Sequence, residues 1–115
     1  MRILGLVFAG TATERRAEMT RFARETLGLE RVEIGGVEAD LFALPDGSHF
    51  AVADPRGMGD TSRTIGFEVD DLEAAAAELR AAGAWVADEA GANDAERYLH
   101  FRAPDGALYE LIERR

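Results

Sequence analysis

The chain contains neither cysteine nor lysine among its 115 residues. The first absence removes disulfides, thiol nucleophiles and thiolate metal sites. The second removes Schiff-base chemistry, which needs an amine side chain, and leaves all 13 basic residues as arginine. Positive charge is in deficit too. The net charge is −9, which argues against partners held by non-specific attraction, so neither nucleic acid nor an anionic membrane surface is expected. No apolar run approaches the roughly 20 residues of a membrane span. No nucleophile system is visible, because no histidine is placed to activate Thr61, Ser62 or Thr64. The glycines of "RGMGDTSR" lack the lysine and the strand–helix context of a phosphate loop.

What remains is an ordinary globular composition. Hydrophobic residues make up 47%, enough for one domain with a core of normal size. The start, "MRILGLVFAGTAT", loosely resembles a secretory signal, but a single arginine precedes a short run. It is read here as a structural strand, and the protein as cytoplasmic.

An internal repeat organises the chain. "FALPDGSHFAVAD" at 42–54 and "FRAPDGALYELIE" at 101–113 align at an offset of 59 residues. Phe42 matches Phe101, and Pro45, Asp46 and Gly47 match Pro104, Asp105 and Gly106. At the same offset Leu6 matches Ile65 and Phe8 matches Phe67. One chemical difference stands out: Ala51 occupies the place of Glu110.

The pattern around the repeat predicts strand, helix and three strands, twice. A first helix is expected over 13–27, with Met19, Phe22, Ala23 and Leu27 as its apolar stripe and Thr11 or Thr13 as cap. A second is expected over 72–82, with Asp70 as cap and Leu72, Ala75, Ala76 and Leu79 facing the sheet. Gly28 and Gly83 stop them. First-half strands are placed at 31–34, 37–44 and 49–53; second-half strands at 85–87, 97–102 and 107–112, with "DEAGANDAE" as a polar loop. The expected organisation is one domain, 1–115, made of a module 1–54 and a module 63–115 joined by a linker at 55–62. A ferredoxin-like α+β fold is the competing topology, with fewer strands per helix.

The βαβββ duplication, "TIGFEVDDLEAAAAEL", Leu27–Gly28 and "FRAPDGALYELIE" together resemble the vicinal oxygen chelate superfamily: glyoxalase I, extradiol dioxygenases and bleomycin-resistance proteins. The resemblance spans nearly the whole chain and is more specific in the second half. It implies an α+β fold of two βαβββ modules, forming curved mixed sheets with a helix on each convex face. The ligand site would lie on the concave side, and chains of this length commonly form homodimers. In metal-dependent relatives the ligands come from the first strand of each half and the last strand of one or both. The matching positions here are Gly5, Thr64, Ala51 and Glu110, of which only Glu110 is a strong ligand.

Alternation along the strands assigns the faces. Ile65, Phe67, Val69, Leu99, Phe101, Tyr109 and Leu111 should pack on a helix. Thr64, Glu68, Tyr98, His100, Arg102 and Glu110 should face the concave side, with Trp85 as core or as an aromatic wall. These seven are the candidate ligand-binding residues. Glu110 is expected to pair with Arg102 or Arg97, and His49, just after a tight turn, to face solvent. If a metal binds, Glu110, His100 and Glu68 are its candidate ligands. No catalytic residue is assigned.

The expected function is therefore metal-independent binding of a small, cationic or amphipathic molecule by a homodimer of the bleomycin-resistance type. No cofactor is expected, although a divalent metal is compatible. The alternative is a divalent-metal-dependent lyase, isomerase or dioxygenase with an altered metal site.

Overall fold

A computed structural model describes residues 1–57 and 61–115; Met58, Gly59 and Asp60 of the expected linker lie outside the described residues. The order of elements is β1 (Ile3–Ala12), α1 (Arg16–Glu25), β2 (Glu30–Val32), β3 (Asp40–Ala43), β4 (His49–Ala53), β5 (Arg63–Val69), α2 (Leu72–Ala81), β6 (Gly91–Ala92), β7 (Glu96–Arg102) and β8 (Leu108–Arg114). This is βαβββ twice.

All eight strands belong to one sheet, ordered β2-β3-β4-β1-β5-β8-β7-β6. The halves join along an antiparallel seam between β1 and β5. Within each half the first strand runs parallel to the last, β1 with β4 and β5 with β8. The sheet curls so far that its two ends meet. The amide of Asp94, after β6, donates to the carbonyl of Gly35, after β2, at 2.9 Å. A Cβ at Gly35 would meet the Asp94 carboxylate, which would have to turn aside.

Both helices lie on the convex face. Leu72, Ala75 and Ala76 of α2 pack on Val69, Leu99, Phe101 and Leu111, while Ala23 of α1 packs on Phe42 and Val52. The repeat's turns form as expected. Gly47 and Gly106 adopt φ +86° and +80°, and their amides donate to Leu44 and Ala103. A β-carbon would be strained at either, which is why the motif ends in glycine.

Several details depart from expectation. The cap of α2 is Asp71, whose carboxylate accepts from the Ala74 amide at 3.0 Å; Asp70 lies one residue too early. Helix α1 starts only at Arg16 with no side-chain cap, and Thr13 instead accepts from the Arg15 amide. Phe22 and Leu27 are exposed rather than packed. The strand expected at 85–87 makes only a single bridge, Val86 to Phe101, and the edge strand β6 falls inside the stretch expected to be a polar loop. There the Tyr98 ring covers Gly91, a packing that a side chain at 91 would block.

Strand β1 carries the most consequential difference. Its register with β5 shifts twice, between Ile3 and Gly5 and between Leu6 and Phe8. Phe8 therefore lies opposite Gly66, on the concave side, although the repeat matches it with the helix-facing Phe67.

Candidate functional site

Residues paired directly across neighbouring strands share a face. One such row crosses five strands on the concave side: His49, Phe8, Gly66, Glu110 and His100. Four of the five, His49, Phe8, Glu110 and His100, line a cleft of about 360 Å³. Gly66 is covered: a Cβ there would sit 2.5 Å from Ile112 and 3.0 Å from Phe8, so these two side chains pack over it.

The two walls differ in chemistry. The first half supplies Phe8, Ile34, Val37, Leu41, Ala51 and Ala53. The second supplies Asn93, Glu96, Tyr98, His100 and Glu110. Arg16, Glu38 and Asp54 stand at one end, where the Arg16 guanidinium is held by Asp40, by Asp54 at 3.0 Å and by the Glu38 carbonyl at 3.0 Å.

His100 Nε2 lies 2.9 Å from a Glu110 carboxylate oxygen, an ion-pair contact across the β7–β8 ladder. The Tyr98 ring meets the imidazole edge-on, with centroids 5.8 Å apart. Burial pushes the Glu96 carboxyl above the usual carboxylate range; the Asn93 contact opposes this, and the charges of Glu110 and Glu68 add to it. Burial lowers His49, and the Arg114 charge lowers it further.

Of the seven expected site residues, Tyr98, His100 and Glu110 line the cleft together. Glu68 is on the same face, but its carboxylate turns to Arg114 Nε at 3.6 Å. Thr64 is 3% exposed, and its hydroxyl is buried in the sheet without a hydrogen-bond partner among the described residues. Trp85 is 54% exposed and sits under the Arg102 guanidinium, 5.8 Å from the ring centroid, outside the cleft lining. The expected pairing of Glu110 with Arg102 or Arg97 is replaced by His100. Arg97 points to the helix side, where it pairs with Glu73 and, at 3.7 Å, with Glu113.

Most of the lining lies beyond the seven expected residues, and His49, Glu96 and Phe8 show why. His49 was expected in solvent, yet it lies two residues before Ala51 and so shares the face of the Glu110 counterpart; the signal was present. Glu96 precedes Tyr98 and His100 by the same period, and β7 begins at Glu96, one residue before the expected 97–102. Phe8 had no signal, because a register shift leaves no mark in an alternating apolar run.

The four family metal positions do not assemble a metal centre in this cleft. Gly5 and Ala51 have no donor, the Thr64 hydroxyl is sealed away, and Glu110 is engaged by His100. Glu68, the third member of the rearranged set, is drawn off to Arg114. Among the described residues, the one group of three converging ligands is Asp71, Glu73 and Glu113, at the start of α2 on the other side of the sheet. That cluster is compatible with a divalent cation, so the expectation of no cofactor does not extend to the whole chain. Its carboxylates already cap Ala74, hold Arg97 and accept from the Leu72 amide at 2.8 Å.

No family model matches the chain, and no curated protein sequence matches it. Solved structures do. Methylmalonyl-CoA epimerase from Mycobacterium tuberculosis superposes with a TM-score of 0.77 at 20% identity, covering 98% of this chain and 89% of that one. A Streptomyces coelicolor methylmalonyl-CoA epimerase variant in complex with 2-nitronate-propionyl-CoA gives 0.76 at 22%, covering 97% and 98%. A glyoxalase/bleomycin resistance protein/dioxygenase superfamily member from Vibrio splendidus gives 0.68 at 17%, covering 96% and 98%. At these identities the likeness concerns architecture: the chain has the fold of the glyoxalase/bleomycin resistance/dioxygenase, or vicinal oxygen chelate, superfamily.

Proposed function

We propose that the protein binds a small molecule in this cleft without a metal ion. An apolar or aromatic body would lie against the first-half wall. A cationic or hydrogen-bond-donating group would face the second. The observation that carries this is the charge of the lining: Glu38, Asp54, Glu96 and Glu110 stand against one guanidinium, Arg16, which is already held by carboxylates. A phosphate-bearing ester such as the one in the Streptomyces complex would meet repulsion here. The metal-dependent lyase, isomerase or dioxygenase reading would need donors that Gly5, Ala51 and Thr64 do not supply.

The lining residues named above all come from one chain. A homodimer remains part of the proposal on different grounds: Leu4, Leu6 and Ile65 leave an apolar stripe exposed on the central strands. No helix is long and apolar enough to cross a membrane among the described residues.

Native mass spectrometry of protein purified without chelators, together with dye titrations, tests these statements. The expected species is a metal-free dimer that binds the cationic dye thioflavin T at least tenfold more tightly than the anionic dye anilinonaphthalene sulfonate. Retention of one zinc, nickel, manganese or iron ion per chain, lost in Glu110→Ala, would overturn the metal-free reading. Preference for the anionic dye would overturn the assignment of the ligand's charge.

A further inference from the structure

We propose that His100, held by Glu110, is a metal-free base that removes a proton from carbon in a small neutral molecule bound in the cleft. This rests on the reading of the cleft as a small-molecule site.

The repeat isolates the pair. His100 lies directly across from Glu110 in the β7–β8 ladder, and Leu41 lies directly across from Ala51 in the β3–β4 ladder. These are the same two places in the two halves, at the offset of 59. The first half folds with an apolar pair there, so the frame does not need the histidine and the carboxylate. Nor does a metal explain them, as the partner positions are empty of donors.

His100 Nε2 and the Glu110 carboxylate are 2.9 Å apart, close enough for the carboxylate to orient the ring and to balance a positive charge on it. The ring lines a cavity whose facing wall is Phe8, Leu41 and Ala51. A positioned imidazole, a neighbouring carboxylate and an apolar facing wall are the parts of a general base.

The chemistry balances without a co-reactant. A carbon–hydrogen bond breaks, the proton goes to the unprotonated nitrogen of the His100 imidazole, and the electron pair moves into an acceptor conjugated with that carbon. The imidazolium is stabilised by Glu110. Return of the proton to another carbon gives an isomer at the same oxidation level. The protein offers the developing anion little positive charge, since Arg16 is held by Asp40 and Asp54. The substrate class is therefore a carbon acid with its own electron sink, such as a conjugated carbonyl or nitro compound.

The probe is 5-nitrobenzisoxazole. Removal of its ring proton breaks the nitrogen–oxygen bond and releases a coloured cyanonitrophenolate. The chain has no lysine, so no amine side chain contributes. The expected kcat/KM is at least about 100-fold above the second-order rate with free imidazole. His100→Ala should lose that factor and regain part of it with added imidazole. Glu110→Gln should lower kcat about tenfold or more, with KM within about twofold, which a merely structural role would not produce. Trp85→Ala, outside the cleft, should leave the rate unchanged. Binding of 6-nitrobenzotriazole, which cannot eliminate, is measured by calorimetry in parallel. If it binds but elimination proceeds no faster than with imidazole, or if His100→Ala is as active as wild type, the base is overturned and the binding site stands. If neither binding nor elimination occurs, both readings fall.

Discussion

Phe42→Ala is expected to destabilise the fold by about 3–5 kcal/mol. Phe42 is 0% exposed, the largest fully buried side chain of the first half, and it packs with Phe50, Val52 and Ala23. Its removal leaves a hole between α1 and the sheet. That helix has no side-chain cap and buries only Ala23 fully, so it has little to gain by collapsing into the space. For a chain of this size the loss corresponds to roughly 10–20 °C in Tm. Phe22→Ala is the contrast. Phe22 lies on the same helix but is 47% exposed, and its removal should stay within about 0.5 kcal/mol. Urea denaturation of the two variants checks the pair; equal losses would mean that the packing of α1 is other than described.

Asp40→Asn is expected to cost about 2 kcal/mol at neutral pH and less in acid. Asp40 sits at the start of β3 under α1. Its carboxylate accepts from Arg16 Nε at 3.1 Å and Nη2 at 3.0 Å, and from the Thr20 hydroxyl at 2.7 Å. The Arg16 hydrogen bonds, with help from Thr20 and Arg31, hold its carboxyl at about 2 instead of 3.8, against the opposing effect of burial. A depressed acid stabilises the folded state when ionised. Its contribution is complete above about pH 4 and is lost as pH falls through 2. The gap between wild type and Asp40→Asn should be full at pH 7 and roughly half as large at pH 3. Arg16 is raised by the same contact, so its share is not an additional gain. A gap of equal size at both pH values would mean that the amide fails through shape and not through charge.

Much of the architecture could be read in advance because its signals are local and doubled. The two PDG turns, the apolar stripe of α2 and the alternation in β7 and β8 each specify an element by themselves, and the repeat lets one half support the other. The misses have equally specific causes. The register shifts in β1 lie before Phe8, where it pairs with β5 but not with β4, and nothing local in its apolar run marks them. Phe8 moved to the other face on that account. Strand β6 was hidden because glycine and alanine carry no strand preference, and its pairing is specified by the Tyr98 ring lying over Gly91. In the site, Tyr98, His100 and Glu110 were legible from period two. Trp85 and Arg102 were not excluded by that period, since alternation assigns a face but not how far along the strand the cleft extends.

The seam between β1 and β5 has a meaning for the two halves as separate objects. It is antiparallel, so each half offers the other an edge of the same kind and direction. An edge of that sort is its own complement: β1 could meet a second β1 by the rule with which it meets β5. A half-length chain carrying only β1 to β4 is expected to pair with a copy of itself along that edge, and the cleft of such a pair would have two apolar walls where this chain has one apolar and one ionisable.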